Sequence, residues 1–140
     1  MNTDRNIKTP LNASRMNNDQ QQEEDQTITE DVVFKCAMTK DYKNIVDLNI
    51  VKEGITYIES GNLILRQMTN LKRLDLSFNS LTRLDNLDCL KDLRELNVSY
   101  NRLDCIDNLT KCINLKTLIL DHNRIKKLEN LKQLRKLEVL

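Results

Sequence analysis

The stretch LKRLDLSFNSLTRLDNLDCLKD, residues 71–92, decides the architecture of this chain. Its apolar residues and its first asparagine recur at the same positions in residues 93–114 and again in residues 115–136. The recurring positions are Leu71, Leu74, Leu76, Asn79 and Leu81; Leu93, Leu96, Val98, Asn101 and Leu103; and Leu115, Leu118, Leu120, Asn123 and Ile125. A fixed period of this length predicts stacked units that share one core, because a single unit cannot bury its apolar face alone.

The spacing within a repeat predicts its local structure. Leu74 and Leu76 are two residues apart, like side chains on one face of a strand, and leucines then follow Leu81 at intervals of three, as in a 3₁₀ turn or a tight helix. The fold class is therefore α/β, a solenoid with a curved parallel sheet on its concave side and 3₁₀ or short helical segments on its convex side. We expect the strands at residues 47–50, 73–76, 95–98 and 117–120.

The asparagines that follow the strands have a structural interpretation. Asn79, Asn101 and Asn123 lie where the chain turns away from the sheet. A buried amide at this point can bond with backbone groups that the bend deprives of sheet partners. We therefore predict an asparagine ladder that runs from repeat to repeat.

The repeats are expected to occupy residues 45–140. The first is degenerate, because Glu53 stands at the position of the ladder asparagine and extra residues lengthen its convex side. The end of the chain, LRKLEVL, contains no polar cap. Since a solenoid needs a polar terminal unit, we expect either that the chain is a fragment or that a partner covers this end. The predicted units are 45–70, 71–92, 93–114, 115–136 and a partial unit, 137–140.

Two segments precede the repeats. Residues 27–44 are predicted to form a capping helix and a lead-in, with Thr27 and Glu30 as its capping box and a helical apolar stripe behind them. Residues 1–26 are rich in Asn, Gln, Asp and Glu and contain few bulky apolar groups. Such a segment cannot bury enough surface to offset its ordering entropy, so we predict a disordered polar tail.

The composition argues against several classes of function. The net charge is only +1, so no strong field attracts nucleic acid or an anionic membrane. No apolar run approaches the roughly 18 residues of a membrane-spanning helix. The four cysteines lack the spacing of a metal site, and His122 has no nucleophile at a motif spacing. The sequence therefore predicts a protein with reduced cysteines that is not an enzyme, has no cofactor or metal, and does not insert into a membrane.

Partner binding is expected on the concave face, which we define as the strand side chains that point away from the core. Just beyond the strands, Lys52, Phe78, Tyr100 and His122 share one repeat position and should form a column. Exposed aromatic groups among charges are typical of interface hot spots. The alternative is that Phe78 and Tyr100 only cover the asparagine turn as local packing. The predicted partner-binding residues are Arg73, Asp75, Phe78, Glu95, Asn97, Tyr100, Ile119, Asp121 and His122.

The last complete repeat is a second candidate surface, because six cations there face one carboxylate. Such a patch can meet phosphate or an acidic partner. A solvated convex face is the commoner explanation, and no aromatic stacking groups accompany the charge. The sequence therefore disfavours nucleic acid as the partner. The cations are Arg124, Lys126, Lys127, Lys132, Arg135 and Lys136, and the carboxylate is Glu129.

From residue 45 onward, the chain resembles the 22-residue class of leucine-rich repeat, with LKRLDLSFNSLTRLDNLDCLKD as the best example. This class occurs in protein phosphatase 1 regulatory subunit 7, axonemal dynein light chain 1, axonemal dynein assembly factors and the spliceosomal A-prime protein. The leader TITEDVVFKCAMTKDYKNIVDLNI also resembles the capping helix that precedes the repeats in several ciliary members.

The resemblance implies a non-catalytic protein–protein interaction scaffold. It favours a ciliary, flagellar or cytoskeletal assembly factor in the cytoplasm, with the nucleus as an alternative location. A regulatory subunit that binds a phosphatase catalytic subunit is the second hypothesis, and a component of an RNA–protein complex is the third.

Overall fold

A computed structural model describes residues 24–140 of the chain. Most of the tail predicted to be disordered, residues 1–26, therefore lies outside the described residues. Gln26, the last residue of that predicted tail, is tied to the first repeat. Its backbone N–H donates to the Thr56 hydroxyl at 2.9 Å, and its carbonyl accepts from the Thr56 N–H at 2.9 Å. Gln26 therefore contacts the first repeat, although it lies on the tail side of the predicted boundary.

Four short strands form one parallel sheet in chain order. The register places equivalent leucines of successive repeats side by side: Leu48 pairs with Leu74, Leu74 with Leu96, and Leu96 with Leu118. All four strands lie within the predicted ranges, which confirms the predicted solenoid. Their bounds are β1 Asp47–Asn49, β2 Arg73–Asp75, β3 Glu95–Asn97 and β4 Thr117–Ile119.

The core is a stack of aliphatic layers, one from each repeat. All seven apolar positions of the second and third repeats are buried. The fourth repeat is more open, since Leu120 and Ile125 are only partly buried and Leu128 is 64% exposed. In this structure that repeat is followed by the partial unit 137–140, in which Val139 forms an isolated parallel bridge with Thr117. Burial of a repeat therefore depends on the repeat that follows it.

Helix α1, Glu30–Ala37, contacts β1 at the first repeat. Two residues of its predicted apolar stripe, Val32 and Val33, are buried. The predicted capping residue was wrong by two positions. Thr29 caps the helix through its hydroxyl, which accepts from Val32 N–H, while the Thr27 hydroxyl accepts from the Glu59 N–H at 3.1 Å. Thr27 therefore joins the leader to the convex side of the first repeat instead of starting the helix.

The extra residues of the first repeat form a second helix, α2, Leu63–Gln67. Asn62 caps this helix by accepting from the N–H groups of Ile64 and Leu65 at 3.1 and 3.0 Å. Its own amide donates to the carbonyl of Ile28 at 2.8 Å. The insertion thus holds the leader that runs into α1.

In the regular repeats, the predicted 3₁₀ returns are isolated turns. Leu90 N–H donates to the Leu87 carbonyl at 3.0 Å, and Leu93 N–H donates to the Leu90 carbonyl at 3.2 Å. Within residues 24–140 the only 3₁₀ helix is Tyr42–Asn44, in the lead-in. Single turns therefore account for the spacing of three residues between leucines, and each turn buries one leucine.

The asparagine ladder is present and connects neighbouring repeats. The amide nitrogen of Asn101 donates to the carbonyls of Val98 in its own repeat, at 3.1 Å, and Leu76 in the preceding one, at 2.9 Å. Its oxygen accepts from the Leu81 N–H at 2.9 Å. Asn79 and Asn123 bond in the same pattern. Each amide therefore joins the strand exits of two repeats.

The first repeat lacks the asparagine and uses a different bond. Its Glu53 accepts from Lys35 of α1 at 2.6 Å, which raises the pKa of the lysine through this hydrogen bond and the charge of the carboxylate. The backbone N–H of Glu53 donates to the Asn79 side chain at 3.1 Å. Glu53 thus takes part in the ladder as a donor and links it to the capping helix.

A second row of asparagines, on the convex side, was not predicted. Asn86, Asn108 and Asn130 all have φ near +60°, a conformation that asparagine tolerates better than most residues. Asn86 donates to the Ile58 carbonyl at 2.7 Å and Asn130 to the Ile106 carbonyl at 2.8 Å. The sequence signal was an asparagine seven residues after each ladder asparagine.

All four cysteines are free thiols. Cys112 occupies the core position that Leu90 and Leu134 hold in the neighbouring repeats, and all three are buried. Burial raises the pKa of Cys112 to about 11. Its thiol is therefore neutral at physiological pH and acts as a small apolar side chain.

Replacement of Asn101 by alanine is expected to lower the free energy of unfolding by about 1–3 kcal/mol, because buried backbone groups would lose their partners. Asn49→Ala is the matched control, since Asn49 is exposed on β1. Chemical denaturation of both variants and the parent chain measures the difference. Equal stability of the two variants would contradict a buried ladder.

The raised pKa of Cys112 predicts a loss of stability at alkaline pH. Above the ordinary cysteine pKa of 9 the unfolded chain releases this proton while the folded chain keeps it, so unfolding becomes easier as the pH rises toward 11. The contribution is roughly 2–3 kcal/mol across this window. Denaturation of the parent chain and Cys112→Val at pH 8 and pH 10.5 isolates it, because other groups titrate alike in both. Parallel losses in the two proteins would refute the prediction.

Candidate functional site

The predicted column exists as a continuous stack of rings. The centroids of Phe78 and Tyr100 are 4.2 Å apart with 8° between the ring planes, and those of Tyr100 and His122 are 4.1 Å apart with 16° between them. Lys52 Nζ lies 5.1 Å from the Phe78 centroid and closes the end of the stack with a cation–π contact. We call Phe78, Tyr100 and His122 the aromatic column.

The position of the aromatic column is fixed by the backbone. Its three residues and Lys52 have φ between +54° and +60°, in the left-handed region that disfavours side chains other than Gly, Asn and Asp. Each residue of the column directly precedes a ladder asparagine. The same tight turn therefore orients the amide into the core and the ring away from it.

The column is both packed and accessible, so the two sequence interpretations are not exclusive. Phe78 and Tyr100 remain 44% and 43% exposed although their faces are stacked. Because the faces of Phe78 and Tyr100 are covered by stacking within the column, the accessible surfaces are the ring edges and the outer face of His122. The column thus offers a rigid apolar ridge along one side of the sheet.

On the concave face, the carboxylate of Asp47 is neutralised across the first strand pair. Arg73 donates to Asp47 with 2.6 Å between its Nη2 and Oδ2, and this hydrogen bond raises the pKa of the guanidinium. Both side chains are exposed. Arg73 is therefore less available to a partner than its sequence position suggests.

Asp75 and Asn97, two predicted partner-binding residues, are already bonded within the protein. Asp75 accepts from the Ser77 N–H at 2.8 Å and from the Asn97 amide at 2.9 Å. Asn97 in turn accepts from the N–H and the hydroxyl of Ser99, at 3.1 and 2.7 Å. These two side chains form a hydrogen-bonded row on the concave face, and this row holds the strand exits.

The row stops at β4. Ile119 occupies the position of Asp75 and Asn97, and its apolar side chain is partly exposed. Asp121, at the position of Ser77 and Ser99, is exposed. Neither Glu95 nor Asp121 makes a side-chain hydrogen bond or ion pair with any residue in the described part of the chain, residues 24–140. Glu95 and Asp121 are therefore concave carboxylates that remain available to a partner, and Ile119 is an apolar group that remains available beside them.

The structure brings the predicted partner-binding residues together in two adjacent hollows. The first, of about 410 Å³, lies over the strands and includes Arg73, Asp75, Glu95, Asn97 and Ile119 in its lining. The second, of about 590 Å³, lies beyond β4 and includes Ile119, Asp121 and His122. Phe78 and Tyr100 border neither hollow and stand beside them as the ridge. Ile119 is common to both hollows.

The basic last repeat forms a separate convex surface. Lys136 Nζ bonds to the Asn114 side chain at 2.6 Å, while Lys132 and Arg135 are exposed. The hollow of about 560 Å³ between these cations is lined by Thr110 and Ile113 and by no aromatic side chain. It therefore lacks a ring on which a nucleic-acid base can stack.

Residues 24–140 contain no helix long and apolar enough to span a bilayer. They also contain no cluster of three or more His, Cys, Asp or Glu side chains placed to hold a metal ion.

A family model described as leucine-rich repeats in two copies matches residues 69–111. Among solved structures, a chain in the crystal structure of the Drosophila melanogaster SNF/U2A' complex is 30% identical with a TM-score of 0.62, and the match covers 81% of this chain and 67% of that one. The functional domain of InlJ from Listeria monocytogenes is 25% identical with a TM-score of 0.58, over 71% of this chain. No curated protein sequence matches the chain.

These matches and the repeat architecture agree. The chain belongs to the leucine-rich repeat proteins. It spans only 20% of the InlJ chain. Leucine-rich repeat proteins act as protein–protein interaction scaffolds.

The stacking predicts a measurable coupling between rings. In a double-mutant cycle, Phe78→Ala and Tyr100→Ala are expected to be coupled by about 0.5–1.5 kcal/mol in the free energy of unfolding, because either change removes the same ring contact. Phe78→Ala with His122→Ala is the control pair, since these rings do not touch each other. Equal coupling in both pairs would show that the effect is not stacking.

Proposed function

We propose that this protein is a non-catalytic interaction scaffold that binds a protein partner through its concave face and the aromatic column. The observation that carries this proposal is the column itself. Three rings at strained backbone positions are stacked at 4.1–4.2 Å and still leave more than two-fifths of Phe78 and Tyr100 exposed. A rigid, partly exposed aromatic ridge is the kind of anchor on which interface energy concentrates.

The sheet supports the same surface by preorganisation. The two central strands, β2 and β3, pair with parallel strands on both sides, and the strand exits are held by the asparagine ladder. A partner that docks here orders few side chains, so little binding energy is lost to conformational entropy. Mixed charge around aromatic anchors favours a protein over a nucleic acid, whose phosphates require a mostly cationic face.

The cellular setting of this function is proposed from the sequence resemblance. A ciliary, flagellar or cytoskeletal assembly factor in the cytoplasm is our first choice, because both the repeats and the leader resemble ciliary members of the class. A phosphatase regulatory subunit is the second. A component of an RNA–protein complex is the third candidate, and the match at 30% identity to a chain of the SNF/U2A' complex supports it.

Partner binding tests the role of the column. A partner isolated by affinity capture and mass spectrometry is titrated with the parent chain, Phe78→Ala, Tyr100→Ala and Lys132→Ala. Truncation of either ring is expected to weaken binding by about 2 kcal/mol or more, whereas Lys132→Ala on the convex side has little effect. An effect of the lysine without an effect of the rings would move the binding surface to the convex side.

A phosphatase assay separates the first two settings. If the chain is a phosphatase regulator, the purified protein changes the activity of a purified phosphatase catalytic subunit, and Tyr100→Ala reduces this effect. An assembly factor leaves that activity unchanged. Fluorescent tagging of the full chain in ciliated cells shows directly whether it lies in cilia, cytoplasm or nucleus.

A further inference from the structure

The free carboxylates of the concave face lie in its third and fourth repeats. Asp47 is paired with Arg73, and Asp75 is bonded to Ser77 and Asn97. Glu95 and Asp121 are exposed carboxylates without a side-chain partner among residues 24–140. The sheet face therefore changes along the solenoid from internally satisfied groups to unsatisfied negative charge.

An apolar side chain separates these two carboxylates. Glu95 pairs in register with Thr117, and Asp121 follows Thr117 by four residues, two beyond the end of β4. The Tyr100 N–H donates to the Asp121 carbonyl at 2.9 Å, so the two chains remain paired there. At about 3.3 Å per residue and 4.8 Å between strands, their backbones are roughly 14 Å apart. Ile119 lies midway between Thr117 and Asp121 on the same face. The surface thus presents negative, apolar and negative groups in a line.

The break at Ile119 distinguishes this line from the rest of the face. In the two preceding repeats the same position carries Asp75 and Asn97, whose side chains hold the strand exits. Ile119 cannot make such a bond, and it lies on the boundary between the two hollows. An exposed isoleucine here adds nothing to the hydrogen-bonded row and gives a partner an apolar contact.

We infer that the third and fourth repeats recognise a polypeptide segment in which two cationic side chains flank an apolar one. The cations meet Glu95 and Asp121, and the apolar residue packs on Ile119. In an extended segment the two cations are about four residues apart, because each residue advances about 3.3 Å. This inference rests on the proposed function, because it names the chemistry of the partner that the concave face binds.

Both carboxylates have cations in their surroundings. Arg73 lies near enough to Glu95 for the charge of that carboxylate to help raise the guanidinium pKa. Lys126 and Lys127 line the second hollow together with Asp121. Each carboxylate is therefore expected to contribute part of the selectivity.

The test is a selection of displayed dodecapeptides on the full chain, followed by fluorescence anisotropy of the enriched peptides at 50 and 300 mM NaCl. Peptides with Lys or Arg on both sides of an apolar residue are expected to dominate. The variant Glu95→Gln/Asp121→Asn is expected to bind them about tenfold more weakly at low salt, with most of the salt dependence lost. Each single substitution accounts for part of this loss.

The matched control is Glu59→Gln/Asp92→Asn, which makes the same change in net charge at exposed sites outside the concave face and should bind like the parent. Enrichment of acidic peptides, or equal binding to both double variants, would overturn the inference. A fluorescein-labelled single-stranded RNA 20-mer serves as the other probe. Binding of this RNA that strengthens when Glu95 and Asp121 are neutralised would also overturn it.

A third variant separates this inference from the proposed function. Ile119→Arg places a charge in the centre of the concave face. If it abolishes peptide binding while the neutralised variant binds normally, the face binds a partner but the carboxylates do not select it. If peptides bind Ile119→Arg and Tyr100→Ala as well as the parent, the concave face is not the binding surface and the proposed function fails.

Discussion

The asparagine ladder is the interaction on which the other features of the repeats depend. Asn101 bonds to its own strand exit through the Val98 carbonyl and to the preceding repeat through the carbonyl of Leu76 and the N–H of Leu81. Asn123 repeats this arrangement and also uses the Val98 carbonyl. Successive repeats therefore share acceptors. Because these backbone groups are buried, a displaced repeat would leave them unpaired, which keeps the repeats in one register.

The same constraint creates the aromatic column. The turn that directs Asn79 and Asn101 into the core holds the residue before each of them at positive φ. Phe78 and Tyr100 therefore leave the backbone in the same direction, and strand pairing places them one strand spacing apart. This spacing, about 4.8 Å between backbones, is close to the distance at which flat rings stack. The ridge is thus a consequence of the ladder, and ring stacking offsets part of the backbone strain.

Hydrogen bonding divides the concave face into a structural part and a free part. Asp75 and Asn97 carry polar groups that look available in the sequence, yet both hold strand exits. Ile119 ends this row, and the exposed carboxylate of Asp121 beyond it makes no side-chain bond within residues 24–140. A repeat protein can keep one backbone throughout and still differ between its ends, because only the residues outside the repeat frame vary. Selectivity here is expected where the internal bonding stops.

The sequence by itself determined the strands, the ladder and the column. A fixed period makes equivalent residues equivalent in space, so Leu74, Asn79 and Phe78 identify their counterparts in every repeat without further information. The tertiary structure alone decided that Thr29 caps α1, that Asn62 holds the leader through Ile28, that Asp75 is occupied, and that Leu120 is only partly buried. The last three depend on which group lies opposite, about a repeat or more away in the chain. The first follows because the Thr27 hydroxyl accepts from the Glu59 N–H and does not cap the helix. Periodicity specifies positions, whereas the availability of a side chain is set by partners that are distant in sequence.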